Sequence, residues 1–520
     1  MKKNKQIFQG MAALLLAGGL LAGCGGGAEK EGEPSATGGE ENARIKITMF
    51  NTAGFRPTVP VLPIDKDPIR QMIEKAVNIE LDMTVIGDGA LDKLNTLVAS
   101  GQTPDLIHLP TRVDAVKYYN QGVTAELDEL LKGTPRLVDA FDAWRWEPLR
   151  YKGNTIGVPG VESVGGINGW WINNDWLKKL NLKVPETADE LLEVMKAFTY
   201  NDPDGNGKND TYGFVAGMLK DGTLTHGWQK IFWMFGVNPN YVDVVDGKVV
   251  YHNTEPRMQE ALTFINRMIE AKVVDPDWLT ITTSLQLDEK MYKGKVGIII
   301  QDWRRLEPEH VQKMQEIGGS LPDWKLIAPP KGPHGDQILD LKVFQNSQWA
   351  VSKEAAKDPV KAKRIMELLQ YLYTDEEAYP YLAYGVKDVT WKEVNGKAEI
   401  TDKTSYNEKE YDWKYHYAFV RRADDEAYFA FKNPETKNHH ALNMQYLRDN
   451  NVMPRLVSDS KDTLAADRLK YMNEMMLKFA TGKEPLAKWG DYVKTLEDKF
   501  KLSELLGIYT TQLQEEGILR

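Results

Sequence analysis

An α/β protein built from two doubly wound lobes is predicted by three observations. Between Ile45 and Leu109 the apolar spacing reads strand, helix, strand, helix, strand, the signature of a doubly wound parallel sheet. The same alternation returns after Trp170. About 480 residues follow a leader and a linker, enough for two large domains.

The chain opens with Lys2, Lys3 and Lys5, then an apolar run from Met11 to Ala22. That run is too short to span a bilayer comfortably and reads as a secretory signal over residues 1–23. Leu21-Ala22-Gly23-Cys24 resembles the lipobox of bacterial lipoproteins, and Cys24 is the only cysteine in the chain. The resemblance implies acylation of Cys24 and cleavage just before it, and so a palmitate-type anchor on the outer face of the cell membrane. An ordinary signal peptide with an incidental cysteine is the other reading. A lone cysteine closes no internal disulfide. Residues 24–43 carry glycine, glutamate, serine and proline without apolar periodicity. As a flexible linker they span roughly 25 Å.

Ile45, Ile47 and Met49 alternate as a strand, and Asp67-Pro68 caps a helix carrying Ile69, Met72, Ile73, Ala76 and Val77. Ile79, Leu81, Met83 and Val85 form the next strand. Leu91, Leu94, Leu97 and Val98 form the next helix, stopped by Gly101, and Leu106, Ile107 and Leu109 a third strand. In the second half, Trp170-Trp171-Ile172 reads as a strand. Thr187 with Glu190 makes a capping box ahead of Leu191, Val194, Met195 and Phe198. Met258 to Ile269 and Pro359 to Leu372 are amphipathic helices, and Val296 to Ile300 is a strand buried on both faces.

The formal charge is −10, and loss of the three leader lysines takes it to −13, which disfavours a polyanionic partner such as DNA. Fourteen tryptophans and 22 tyrosines are many for this length. They serve cores or flat platforms for sugars. Trp228, Trp233 and Trp349 are assigned to cores, and Tyr411 to Tyr417 form an aromatic cluster that lines a cleft or seals a lobe.

Asp202-Pro203-Asp204-Gly205-Asn206-Gly207-Lys208-Asn209-Asp210 places oxygen donors at alternate positions of a tight loop. Asp202, Asp204, Asn206, Asp210 and the Lys208 carbonyl form a candidate set for a structural Ca²⁺. Gly213 stands where an EF-hand has its bidentate glutamate, and Thr211 is a poor sixth ligand. A polar turn held by Asx hydrogen bonds is the alternative.

Four segments, taken in order, resemble the extracellular solute-binding proteins of ABC importers, in the maltose-binding branch. They are Ser100-Gly101-Gln102-Thr103-Pro104-Asp105, Asn174-Asp175-Trp176-Leu177 with Val184-Pro185-Glu186-Thr187, Lys293 to Ile298 with Trp303, and Trp349 to Lys353. The chain is most similar to the LplA-like lipoproteins of oligosaccharide importers, over roughly residues 45–500. The resemblance implies a periplasmic-binding-protein fold of type II, with two lobes joined at a hinge. It places crossings near Gly160-Val161, from Ile327 to Gly332, and near Tyr384-Gly385. Lobe one is then 44–160 plus 329–385, and lobe two 161–328 plus 386–520. It also implies a stacking tryptophan at Trp303, a cleft carboxylate at Glu162, and a structural role for the Asp202–Asp210 loop, as in some alginate-binding relatives.

Sugars offer C–H faces to aromatic planes and hydroxyls to charged and amide groups. Doubly wound sheets present ligand groups at their strands' carboxyl ends. Candidate contacts are therefore Asn51 after the first strand, Arg112 and Asp114 after the third, and Arg304 beside Trp303. Tyr384 joins them from the third crossing. Trp170 and Trp171 point to opposite faces of one strand, so one is core. Trp170 is taken as the cleft residue. No Gly-x-Ser-x-Gly, His-Glu-x-x-His or phosphate loop occurs, and His439-His440 reads as a surface pair.

The expected protein is a monomeric, non-enzymatic, lipid-anchored binding subunit that captures an oligosaccharide and delivers it to an ABC permease. An exported polysaccharide lyase or glycoside hydrolase is the alternative, and a surface adhesin or chemosensory module a third reading.

Overall fold

In the computed structural model the first strand pairs in parallel with two others, as the alternating pattern requires. β1 (Ile45–Asn51) is followed by α1 (Pro68–Val77), β2 (Ile79–Val85), α2 (Ala90–Ala99), β3 (Leu106–Leu109) and α3 (Arg112–Asn120). The described residues are 43–53, 58–87, 89–160, 168–306, 308–342, 347–401, 409–422, 425–432, 435–449, 452–457 and 462–519. Residues Met1–Ala43 and Arg44–Arg520 form separate units. Cys24, the leader and nearly all of the linker lie outside the described residues.

β1 sits between β2 and β3, with Ile45 opposite Ile79 and Met49 opposite Leu106. β4 (Val158–Pro159) later takes the far edge. Side chains alternate between faces. Ile47, Met49 and Leu106 join the cluster containing α1, while Phe50 and Ile107 join the one formed by α2 and α3. Asp67 caps α1 by accepting from the Arg70 amide at 3.0 Å.

The second sheet uses β5 (Asn168–Asn173), β6 (Tyr212–Phe214), β7 (Val296–Asp302) and β8 (Trp324–Ile327), in the order β8-β5-β7-β6. β5 runs antiparallel to β7 and β8, while β6 is parallel to β7. This sheet is therefore mixed. β7 is buried along its whole length, as predicted. Packed around this sheet are α4 (Ala188–Tyr200), α5 (Pro256–Glu270) and α6 (Ser284–Tyr292). The predicted capping box forms, with the Glu190 amide donating to Thr187 at 3.3 Å and the Thr187 amide to Glu190 at 3.2 Å.

Two of the three expected crossings fall later in the chain. β4, in the first sheet, ends at Pro159 and β5, in the second, begins at Asn168, with residues 161–167 outside the described set. Beyond β8 the chain stays with the second lobe: Lys331 bonds to Glu186 and Ala188, and Leu339 joins the second core. β9 (Asp340–Leu341) then precedes β10 (Gln348–Val351), which pairs antiparallel with β3 and β4 in the first sheet. The described chain thus rejoins the first sheet only at Gln348, and the prolines near 330 stand in a turn that stays with the second core. α7 (Pro359–Thr374) and α8 (Tyr379–Tyr384) pack on the first lobe. So does the aromatic cluster, because Trp413, Tyr417, Phe419 and Val420 are all in the first core. The cluster seals that lobe. The third crossing runs through α9 (Glu426–Lys432), where Ala427 packs with Tyr384 and Tyr428 with the second sheet's cluster. β11 (Leu447–Arg448) pairs with β9. The closing helices α10 (Ala465–Ala480), α11 (Trp489–Phe500) and α12 (Leu502–Glu515) complete the second core. Among the described residues no helix is long and apolar enough to cross a membrane.

Candidate functional site

The parallel strands of the first sheet end on a row of polar groups. Asn51 is fully buried. Its carbonyl accepts from the Ala53 amide at 2.7 Å and its amide donates to the His416 carbonyl at 3.0 Å, so it ties the sealing aromatic segment to β1. Next to it, Thr52 Oγ1 lies 2.6 Å from His108 Nδ1. Burial lowers the His108 imidazole to about 3, so the ring is neutral at physiological pH. His108 Nε2 and both amide atoms of fully buried Gln348 have no hydrogen-bond partner among the described residues. Gly157 and Gly160 make room for these two side chains: a Cβ at Gly157 would stand 1.9 Å from Gln348 Oε1, and one at Gly160 2.9 Å from His108 Nε2. Sequence reasoning missed His108 and Gln348. A histidine and a glutamine inside apolar strand patterns were the available signal.

The second sheet offers the end of β7. Gln301 donates to Asp288 at 2.6 Å, Arg305 donates to the same carboxylate at 2.8 Å, and Asp302 is buried. The backbone turns into a short helix, Trp303–Leu306, directly after Asp302. The side chains of Trp303 and Arg304, and Glu162 as a whole, lie outside the described set.

Trp170 and Trp171 do face opposite ways, and both are buried. Trp170 is in the main second core, stacked on Phe214 with ring centroids 6.3 Å apart. Trp171 packs in the other cluster, donates to the Gln301 carbonyl at 3.0 Å, and meets His439 edge-on at 5.0 Å. The expected cleft position of Trp170 is thus a core position, because a helix layer covers each side of the strand. Trp228, Trp233 and Trp349 are core as well.

Arg112 and Asp114, both candidate sugar contacts, bond to different partners. Asp114 turns back to Thr111 at 2.5 Å, within the N-terminal cap of α3. Arg112 is buried and bonds to the Pro148 and Arg150 carbonyls at 2.6 and 3.1 Å and to the Glu516 carboxylate. Tyr384 is buried too, donating to Asp425 at 2.6 Å, while Tyr379 donates to the other oxygen at 2.7 Å. Burial, reinforced by the Asp425 charge, raises the Tyr384 phenol far above its usual range.

The Asp202–Asp210 loop joins α4 to β6. Asp202 has φ 45° and accepts from the amides of Gly205, Asn206 and Gly207 at 3.0–3.1 Å. The Asn206 amide donates to Asp204 at 2.9 Å and Asp210 at 3.0 Å. Lys295, one residue before β7, spans Asp204 and Asp210 at 2.8 and 2.9 Å. Its hydrogen bond, with a second from Asn206, holds the Asp210 carboxyl below its ordinary value. Thr211 is buried and donates to the Phe198 carbonyl at 2.8 Å, so it supplies no ligand. No cluster of three or more His, Cys, Asp or Glu side chains is arranged as a metal site among the described residues. The four candidate side chains gather on one loop, where backbone amides and the Lys295 ammonium already satisfy them.

Comparison with known proteins places these features in context. A family model described as bacterial extracellular solute-binding protein matches residues 69–386. Lipoprotein LipO of Bacillus subtilis (strain 168) is 29% identical over 388 residues, 74% of each chain. The polygalacturonan/rhamnogalacturonan-binding protein YtcQ of the same organism is 25% identical over 387 residues, again 74% of each. The fructooligosaccharide ABC transporter substrate-binding protein FusA of Streptococcus pneumoniae serotype 4 is 30% identical over 299 residues, 52% of this chain and 53% of that one. The solved structure of FusA in complex with kestose superposes with a TM-score of 0.65 at 20% identity, covering 92% of this chain and 100% of that one. A further FusA structure is of an EF-hand mutant with fructo-nystose, with a TM-score of 0.64 at 19% identity, covering 92% of this chain and 100% of that one.

Proposed function

Because the chain belongs to the family of bacterial extracellular solute-binding proteins, we propose that it captures an extracellular oligosaccharide and delivers it to the membrane subunits of an ABC importer. One observation carries this reading. The family match starts at Ile69 in α1, passes through the whole of the second sheet and ends at Val386, back in the first lobe. What is matched is the two-lobed body, and the relatives that share it include binders of fructooligosaccharides and of pectic polymers.

In this reading the sugar lies between the carboxyl ends of the two sheets. Trp303 gives it a flat apolar face, with Arg304 and Glu162 supplying hydrogen bonds. Asn51, Arg112, Trp170 and Tyr384 hold the walls in shape through the contacts described above. The protein binds and releases its cargo without breaking a bond. Lipid on Cys24 tethers it to the outer face of the cell membrane, and it works as a monomer. Asp202, Asp204, Asn206, Asp210 and the Lys208 carbonyl hold a structural Ca²⁺ that fastens the connection between α4 and β6.

Thermal-shift and calorimetric titration against kestose, polygalacturonan fragments and rhamnogalacturonan fragments tests the proposal. One class is expected to stabilise the fold, by about 2.7 kcal/mol at a hundredfold excess over Kd, and to be recovered intact. A flat response to every class, or release of shorter products, overturns it.

A further inference from the structure

Four charged side chains alternate across the boundary between the lobes. Arg112 opens α3 in the first lobe and is 1% exposed. Beyond its bonds to Pro148 and Arg150, it donates through Nη1 to the Arg455 carbonyl at 3.2 Å and pairs through Nη2 with Glu516. Glu516 follows α12, whose Leu502, Leu505 and Leu513 are in the second core. The other Glu516 oxygen pairs with Arg455 at 3.0 Å, and Arg455 reaches back to Glu147 in the first lobe at 2.9 Å. The segment carrying Arg455 is divided in the same way. Val452 and Leu456 pack in the second core, and Val457 against the first lobe's α2–α3 cluster. Gln512 on α12 fixes Val457, accepting from its amide at 3.0 Å and donating to its carbonyl at 2.9 Å.

We infer that Arg112, Glu516 and Arg455 form a clasp between the lobes, distinct from the three chain crossings, which sets their angle in the ligand-free protein, with exposed Glu147 only an outer contact. Turning one lobe against the other separates the buried Arg112 guanidinium from the partly buried Glu516 carboxylate, whose side chain is 12% exposed. The buried guanidinium must then be rehydrated or left unpaired. The cluster therefore biases the resting equilibrium toward the arrangement in which it is made. The inference uses no ligand, so it stands or falls separately from the identity of the cargo.

Residues 44–520 contain no cysteine, which makes the angle measurable. Spin labels are placed at Lys93→Cys on α2 and Glu270→Cys on α5, both exposed, in the full chain carrying Cys24→Ser. The unaltered clasp is expected to give one narrow distance distribution. Glu516→Gln is expected to broaden it and shift it by several ångströms. Glu147→Gln, whose side chain is 59% exposed at the outer end, is expected to leave it in place. An unchanged distribution in folded Glu516→Gln, or an equal shift in Glu147→Gln, overturns the clasp. Should Glu516→Gln fail to fold, hydrogen exchange of the unaltered chain decides. Protection of residues 452–457 equal to that of β7 supports the clasp, and exchange at loop rates overturns it.

Discussion

At the scale of single residues, burial identifies the side chains that build the walls of each lobe. Trp170 lies within β5 and is enclosed by the second core, whereas Trp303 directly follows β7. Trp170→Ala is expected to cost about 3–5 kcal/mol of stability, while Trp170→Phe keeps both fold and binding. Trp303→Ala is expected to leave the unfolding temperature nearly unchanged and weaken sugar binding at least tenfold, about 1.4 kcal/mol. Calorimetry on the three variants checks this, and equal loss of stability in Trp303→Ala and Trp170→Ala would refute the distinction. His108 gives a pH prediction. Its folded value lies below the ordinary 6.5, at about 3, so the unfolded chain takes up the proton first. The contribution is complete above pH 6.5 and is lost as pH falls toward 3, by up to about 1.4 kcal/mol per pH unit. His108→Gln is expected to show a shallower decline in unfolding temperature from pH 7 to 5 than the parent. Parallel declines would contradict the assignment. These distinctions were not legible in the sequence. Period-two alternation states that Trp170 and Trp171 differ in direction, but not that helices cover both faces. Arg112 sits at a strand end like any ligand residue, and its partner Glu516 lies 404 positions away.

At the scale of elements, local chemistry was readable wherever the partner was near in sequence. Asp67-Pro68 and Thr187 with Glu190 predicted helix starts that the structure shows, because a cap involves three or four neighbouring residues. The lobe crossings were not readable in that way. Pro329, Pro330 and Pro333 break regular structure whether or not the chain changes lobe, and Gly385 only ends a helix, at φ 101°. The Asp202–Asp210 loop was legible as a tight polar turn from its spacing, while Lys295 was invisible because it enters from just before β7. With 1 mM Ca²⁺ and an affinity typical of extracellular modules, the ion is expected to add about 0.4–1.4 kcal/mol of stability. Unfolding with and without a chelator measures this. Asp204→Ala is expected to abolish the difference, and a metal-insensitive parent would exclude the ion.

At the scale of the whole molecule, two cores on two sheets share one chain, and the family match covers both. The α/β class and the two lobes were legible because apolar periodicity repeats in each half. The antiparallel strands of both sheets were not, since periodicity carries no strand direction. A protein built this way is expected to gain ligand contacts from both sheets only when they approach, so that bound sugar selects a closed arrangement. Small-angle scattering of the chain, free and saturated with the oligosaccharide that stabilises it, tests that claim most directly. The account predicts a smaller radius of gyration in the bound state. An identical radius at proven saturation would contradict it.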